Sequence, residues 1–360
     1  MTNPGLPNDF MDARTRFLTA AEEAGARVRH LEHPLPGPHG ERLATDVAVL
    51  GRPDAPARLV VISGTHGVEG FAGSACQEAL LKVGVAAARA LVTGDLAVVV
   101  VHAINPYGFA WVRRVNEDNV DLNRNCIDFT GPVPENPGYD ELADALVPDR
   151  WDAATQERTA GILLQYAERH GFDGLQEAVS MGQYKHPNGV YFGGTAPVWS
   201  RRALEDIARH DCAGAARVAI LDLHTGLGPH GVGELIASHP DASGRERLAD
   251  WYGAYTIPSE GTSVSAELHG DILDGFDEWL PEVELTSVAI EYGTVDIVEV
   301  ANALRADAWL HAFSDPTGPD AGPIKAALHA AFAPDDSGWL TAVRERFDDV
   351  SGRAVEGLLQ

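Results

Sequence analysis

The chain has 360 residues, 45% of them hydrophobic, and a formal net charge of −26 from 27 basic against 53 acidic side chains. This composition suits a folded globular protein with a sizeable core, and the scattered acidic excess reads as a solvated surface that excludes nucleic acid and anionic membranes as expected partners. No basic segment followed by an apolar core opens the chain and no apolar run approaches a membrane span, so a cytoplasmic protein is expected, in which Cys76, Cys126 and Cys212 are buried small apolar residues rather than a disulfide framework.

In chain order, residues 12–27 carry spaced apolar residues and alanines and predict an amphipathic helix. Residues 45–51 alternate as a short strand, 59–63 form a buried strand, 71–92 a helix and 96–104 another apolar strand. Strand, helix and strand at this spacing make a βαβ unit, with parallel pairing and a right-handed crossover. Residues 105–125 are polar and aperiodic, and 128–138 hold three prolines and read as a loop. Helices follow at 139–146, 153–170 and 172–181. Residues 183–197 contain five Gly or Pro and read as a surface loop. Next come a helix at 198–211, a strand at 218–223, a possible strand at 233–238, a strand at 286–291 and a helix at 295–313. Two C-terminal helices are expected within 324–359. No repeat or linker interrupts this order, so the expectation is a single α/β domain over 1–360, a twisted, mostly parallel (mixed) sheet sandwiched by helices.

Chemistry gathers where predicted strands end. The run Leu59-Val-Val-Ile-Ser-Gly-Thr-His-Gly-Val-Glu-Gly70 stops at Gly64, and His66 and Glu69 follow at once. A histidine and a carboxylate three apart in a glycine-bounded turn can converge on one cation. A second apolar run, 218–221, leads into Asp222-Leu223-His224. Two histidines and a glutamate are the ligand set of a catalytic zinc site with one position open. Asp222 shares the face of His224 on a strand and is expected to orient a ligand from behind. Asn105, His224 and Glu291 lie at or just past strand ends like His66, the edge where ligands bind in open α/β sheets. Glu291 closes a third strand in Ala289-Ile-Glu-Tyr-Gly-Thr294; it is either a partnered structural acid or a general base near metal-activated water. Between these lies Arg113-Arg-Val-Asn-Glu-Asp-Asn-Val-Asp-Leu-Asn-Arg-Asn125, with arginines suited to a carboxylate or to an oxyanion formed in acyl transfer.

In their order, His66-x-x-Glu69, Asn123-Arg124, His224 and Glu291 resemble the zinc carboxypeptidases. The Asp121-Leu-Asn-Arg124 run looks like their succinylglutamate desuccinylase/aspartoacylase side. The wider text, from about residue 10 to 315, is similar to a little-characterised bacterial branch of that superfamily, a domain of unknown function. The resemblance implies a carboxypeptidase-like fold and one zinc per chain on His66, Glu69 and His224. It further implies Glu291 as general base and acid, and Asn123 and Arg124 on a substrate carboxylate. Arg114, or alternatively Arg113, would polarise the scissile carbonyl. A tyrosine closing over substrate has no clear counterpart, with Tyr184, Tyr191 and Tyr255 as candidates.

The expected activity is therefore zinc-dependent hydrolysis of a peptide or amide bond near a free carboxylate. Its alternatives are an N-acyl amino acid deacylase and a non-catalytic metal-binding module. Small peptides or N-acyl amino acids are the expected partners. The glycines at 64, 67, 70 and 73 do not make a dinucleotide fingerprint, and no Gly-x-Ser-x-Gly elbow signals a serine hydrolase.

Overall fold

A computed structural model describes residues 5–82, 94–238 and 240–360. One seven-stranded sheet runs in the order β1-β2-β4-β3-β5-β7-β6, with β1 Arg27–Pro36, β2 Arg42–Gly51, β3 Ala57–Ile62, β4 Leu96–His102, β5 Arg217–Gly226, β6 Gly233–Ile236 and β7 Glu284–Gly293. The four central strands, β4, β3, β5 and β7, pair in parallel. The pairings β1–β2, β2–β4 and β6–β7 are antiparallel, so the sheet is mixed.

Successive residues of the central strands feed opposite cores, as the two-residue period of a strand requires. Leu59, Val61, Val98, Val100, Leu221, Leu223, Val288 and Ile290 face α1 (Phe10–Ala24), α2 (Gly70–Lys82), α7 (Ala242–Tyr252) and α11 (Ser337–Leu358). Val60, Ile62, Val99, Val101, Val218 and Ile220 face α6 (Trp199–Ile207), α8 (Ile272–Trp279) and the 120–126 segment. Burial on both faces is why β3, β4 and β5 read as continuous apolar runs, whereas β7 alternates buried with partly buried residues. A third cluster joins α4 (Pro137–Leu146), α5 (Ala153–Ser180), α9 (Ile297–Phe313) and α10 (Ala321–Phe332).

The helices expected within 153–181 form one element broken at Gly171, whose φ of 79° and ψ of 165° leave the helical region. The polar 105–125 stretch contains a short helix, α3 (Pro106–Ala110), started by Asn105, whose side chain accepts from the Gly108 N–H. Residues 83–92 of the expected second helix lie outside the described residues. Besides α3, three elements have no counterpart in the sequence expectations: β1, α7 and α8. The burial of β1 is largely exposed or partial, so it lacks the apolar alternation that marks a strand. All three cysteines are free and buried, as expected. No helix among the described residues is long and apolar enough to cross a membrane.

Candidate metal centre and substrate cavity

The turn after β3 delivers the first two donors. Gly64 adopts φ +66°, where a Cβ would meet the Ala103 Cβ at 2.7 Å, so the chain reverses tightly there. Gly67 is backed against α3, with a Cβ there only 2.0 Å from the Gly108 carbonyl carbon. His66 and Glu69 bracket this contact, one before and one within a single turn of 3₁₀ helix, Gly67–Glu69. His224 comes from β5, two residues before the strand ends, and is the register partner of Glu291 on β7. Two residues earlier on the same face stands Asp222.

His66 Nδ1 lies 2.9 Å from Glu69 Oε1, His224 Nδ1 lies 2.9 Å from Glu69 Oε2, and the two Nδ1 atoms are 3.2 Å apart. Among the described residues these three side chains form the buried group able to hold a metal ion. Behind each imidazole stands a carboxylate. His66 Nε2 meets Asp121 Oδ1 at 3.1 Å, and His224 Nε2 meets Asp222 Oδ2. An ionised carboxylate only accepts, so each Nε2 carries the proton and each Nδ1 is turned to the common point. Two imidazole nitrogens and a carboxylate at this range are held together by a shared cation, either a metal ion or a proton on one of the rings. The donor spacings are close to the ~3.4 Å expected for tetrahedral ligands about 2.1 Å from a metal. Thr65 Oγ1 donates to Asp222 Oδ1 at 2.7 Å, and the Thr225 N–H donates to Glu69 Oε2 at 3.2 Å, which fixes both acids.

The electrostatics follow from this packing. Burial opposes ionisation of Glu69, but His66 and His224 outweigh it and hold its carboxyl below the usual range. Burial likewise opposes the charge on Asp121, and Arg114, His66 and Arg124 overcome it and keep the acid far down. For His224 burial favours the neutral ring, yet Asp222 and Glu69 raise its pKa well above the ordinary value. In Glu291 burial dominates: with the Glu69 charge nearby, it pushes the carboxyl up to about 7. The Leu227 N–H donates to Glu291 Oε1 at 2.8 Å and holds the side chain in place.

The two adjacent arginines part company here. Arg114 lines the cavity, donating from Nε to Asp121 Oδ2 at 3.0 Å and from Nη1 to Glu69 Oε1 at 3.2 Å. Arg113 points away and pairs with Asp307 at 3.0 Å in the interior. Arg124 also lines the cavity, but part of its fork is spent on backbone: Nε and Nη2 donate to the Ser180 carbonyl, and Nη1 to the Asn123 carbonyl. Asn123 is oriented by the Ile272 N–H, which donates to its Oδ1 at 3.2 Å, and its Nδ2 stands 3.4 Å from the protonated Nε2 of His224. That amide nitrogen therefore has donors to spare toward the cavity.

The cavity is also lined by Tyr191, Leu227, Glu267, Asp271, Leu304 and Phe332. Of the tyrosines named from sequence, Tyr184 donates to the Arg124 carbonyl at 2.7 Å, Tyr255 donates to the Arg245 carbonyl at 3.4 Å, and Tyr191 lines the cavity. Three further glutamates could be weighed against Glu291 as a base: Glu267 lines the cavity, Glu117 pairs with His33, and Glu282 is exposed. Asp121 behind His66 and Phe332 from α10 were not singled out by sequence reasoning. The Asp-Leu-Asn-Arg run held the signal for the first; nothing local marked the second.

The chain belongs to the family described as Protein of unknown function (DUF2817), whose model matches residues 7–346. No curated protein matches it. Among solved structures it is similar to bovine thrombin-activatable fibrinolysis inhibitor in complex with tick carboxypeptidase inhibitor, at 11% identity over 94% of this chain and 98% of that one, with a TM-score of 0.45. It is similar to carboxypeptidase A from Helicoverpa armigera at 11% identity, covering 91% and 75% of the two chains, with a TM-score of 0.46. An aspartoacylase family protein from Mesorhizobium loti is 16% identical, over 79% of this chain and 67% of that one, with a TM-score of 0.37.

Proposed function

We propose that this protein is a zinc-dependent hydrolase that cleaves a peptide or amide bond beside a free carboxylate. The observation that carries the reading is the convergence of His66 Nδ1, His224 Nδ1 and Glu69 on one point, each imidazole backed by its own carboxylate. Nitrogen and carboxylate donors of this kind suit zinc, and three protein ligands leave a position open. When bound there, zinc supplies a Lewis acid and lowers the pKa of water.

The chain's own residues supply the rest. Glu291, with its carboxyl near neutrality, takes a proton from the attacking water and returns it to the departing nitrogen. Arg114, the arginine of the pair that lines the cavity, offers its remaining N–H groups to the oxyanion that develops on the scissile carbonyl. Asn123 Nδ2 and the unspent N–H groups of Arg124 receive the substrate carboxylate.

Dipeptides and N-acyl amino acids share this chemistry. The test is a screen of the zinc-loaded protein against both sets, each with C-terminally amidated counterparts. Release of an amine from free acids but not from amides, abolished by a chelator, is the expected result. Full zinc binding without hydrolysis of any member would make the chain a non-catalytic metal-binding module.

A further inference from the structure

The chain has three lysines, and Lys325 on α10 is the one turned inward: its side chain is 16% exposed, against 41% for Lys82 and 51% for Lys185. An ammonium has three N–H bonds, and each finds an acceptor here. They go to the Val112 carbonyl at 3.3 Å, to Asp307 Oδ1 and to His311 Nε2 at 2.9 Å. Burial works against the charge on Lys325 and brings its pKa down to about 8, although Asp307 opposes the shift. Burial also lowers His311, to about 3, so that ring is neutral and its Nε2 accepts. A cation taken this far out of water persists only when it is paired, so the three acceptors fix where it sits.

What Lys325 holds is a strained turn. Val112 stands at φ 49°, a left-handed backbone that is unfavourable for a β-branched residue and persists where surrounding contacts impose it. Its carbonyl is one of the three acceptors. Arg113, the next residue, donates from Nε to Asp307 Oδ2 at 3.0 Å, so one carboxylate binds the lysine and the arginine together. On the other side, the Val68 N–H donates to the Arg113 carbonyl at 2.8 Å and the Gly67 N–H to the Arg114 carbonyl at 3.0 Å. Residues 112–114 are thereby clamped between the α9–α10 pair and the turn that bears His66 and Glu69. From this clamp Arg114 reaches Asp121 and Glu69. Neither Lys325 nor Asp307 lines the metal-site cavity, so their route to it is the turn itself.

We propose that Lys325 is a positioning residue: its three-way hold on Val112, Asp307 and His311 keeps the 112–114 turn in its left-handed form and so presents Arg114 to the cavity. Without a donor on its carbonyl, Val112 gains by relaxing toward ordinary backbone, and a swing there re-aims the residue two positions on. The kinetic consequence rests on the oxyanion role given to Arg114 above; the positioning itself does not.

The first arm of the test needs no substrate. In the zinc-loaded full chain with isotope-labelled arginine, the Arg114 Nε–H signal is identified by its loss in Arg114→Ala. Lys325→Met should speed solvent exchange of that proton about tenfold or more, as for loss of a bond to a charged group. The Arg305 Nε–H, also on α9 and bonded to the Leu146 carbonyl at 3.0 Å, should keep its parent rate. A smaller change at Arg114, or an equal one at Arg305, overturns the proposal, the latter because it marks general loosening. If Lys325→Met does not fold, Lys325→Gln, which keeps an amide donor, is read by the same criterion; failure of both to fold makes Lys325 structural only and overturns its role. The second arm is a double-mutant cycle on a substrate from the panel above. Lys325→Met should lower kcat about 10–100-fold with one zinc retained, and this loss should vanish in an Arg114→Ala background. The same loss with and without Arg114 overturns the proposal. If Arg114→Ala itself leaves kcat unchanged, or no panel member is hydrolysed, the oxyanion role falls and the exchange rates alone decide the role of Lys325.

Discussion

His224 and Glu291 are register partners on adjacent parallel strands, β5 and β7. Their side chains lie on the same face, a strand spacing of about 4.8 Å apart at the backbone. His224 reaches the donor group and Glu291 stays outside it, so one sheet fixes both a residue of the proposed metal site and the proposed proton acceptor beside it.

This relationship predicts that Glu291→Gln keeps stoichiometric zinc and substrate affinity and loses turnover by about 10²–10⁴-fold. Metal analysis and steady-state kinetics on one preparation check it. Turnover near the parent rate would remove Glu291 as the base and make Glu267, the other glutamate lining the cavity outside the donor group, the next to test.

The pH dependence follows from the same acid. Burial raises the Glu291 carboxyl to about 7, and a base works only when ionised. Activity should therefore rise as pH increases through an acid limb with unit slope. A bound cation favours the carboxylate, placing the limb of the loaded enzyme at or below 7. The limb should vanish in the residual activity of Glu291→Gln.

Metal binding should follow the tautomer logic of the two imidazoles. His66→Ala or His224→Ala should abolish zinc binding, while Asp121→Asn and Asp222→Asn should weaken it about 10–100-fold. Protons compete for His224, whose pKa is raised, so zinc affinity should fall as pH is lowered. Competition with a chromophoric chelator across pH measures both effects. Full zinc occupancy in His224→Ala would exclude that residue as an essential ligand.

The three arginines should separate by readout. Arg114→Ala should lower kcat with zinc retained, because its proposed role is on the oxyanion that develops during reaction. Arg124→Ala should raise KM for carboxylate substrates and also lower the Tm, since the Ser180 and Asn123 carbonyls lose their donors at about 1–3 kcal/mol for a buried group. Arg113→Ala should cost about 1–3 kcal/mol of stability, because buried Asp307 loses one of its two cationic partners and keeps Lys325. Burial opposes the Asp307 charge, but Arg113 and Lys325 hold it at about 2, below its ordinary 3.8. Its contribution is complete above that ordinary value and is lost as pH falls toward 2, so the Arg113→Ala penalty should shrink in acid. A penalty independent of pH would show that the pair contributes packing rather than charge.

By itself the sequence determined what is encoded locally. Apolar runs marked β3, β4, β5 and β7; in the first three, burial on both faces leaves no polar period. The residues just past or near their ends named the donor group and Glu291, because parallel strands present those ends on one edge. Asp222 could be placed on the face of His224 from the strand period alone. Only the tertiary structure decided the relationships between segments far apart in the chain. Arg113 and Arg114 are neighbours with the same chemistry, and what separates them is Asp307 on α9, 194 positions away for the first, against Asp121 and Glu69 for the second. The closeness of Asp121 to His66 spans 55 positions, and the hold of Lys325 on the Val112 carbonyl spans 213, a contact that no local pattern signals. The edge strand β1 escaped notice because its pairing with β2 comes from backbone hydrogen bonds, which any sequence can make, rather than from an apolar pattern that a reader of the chain can see.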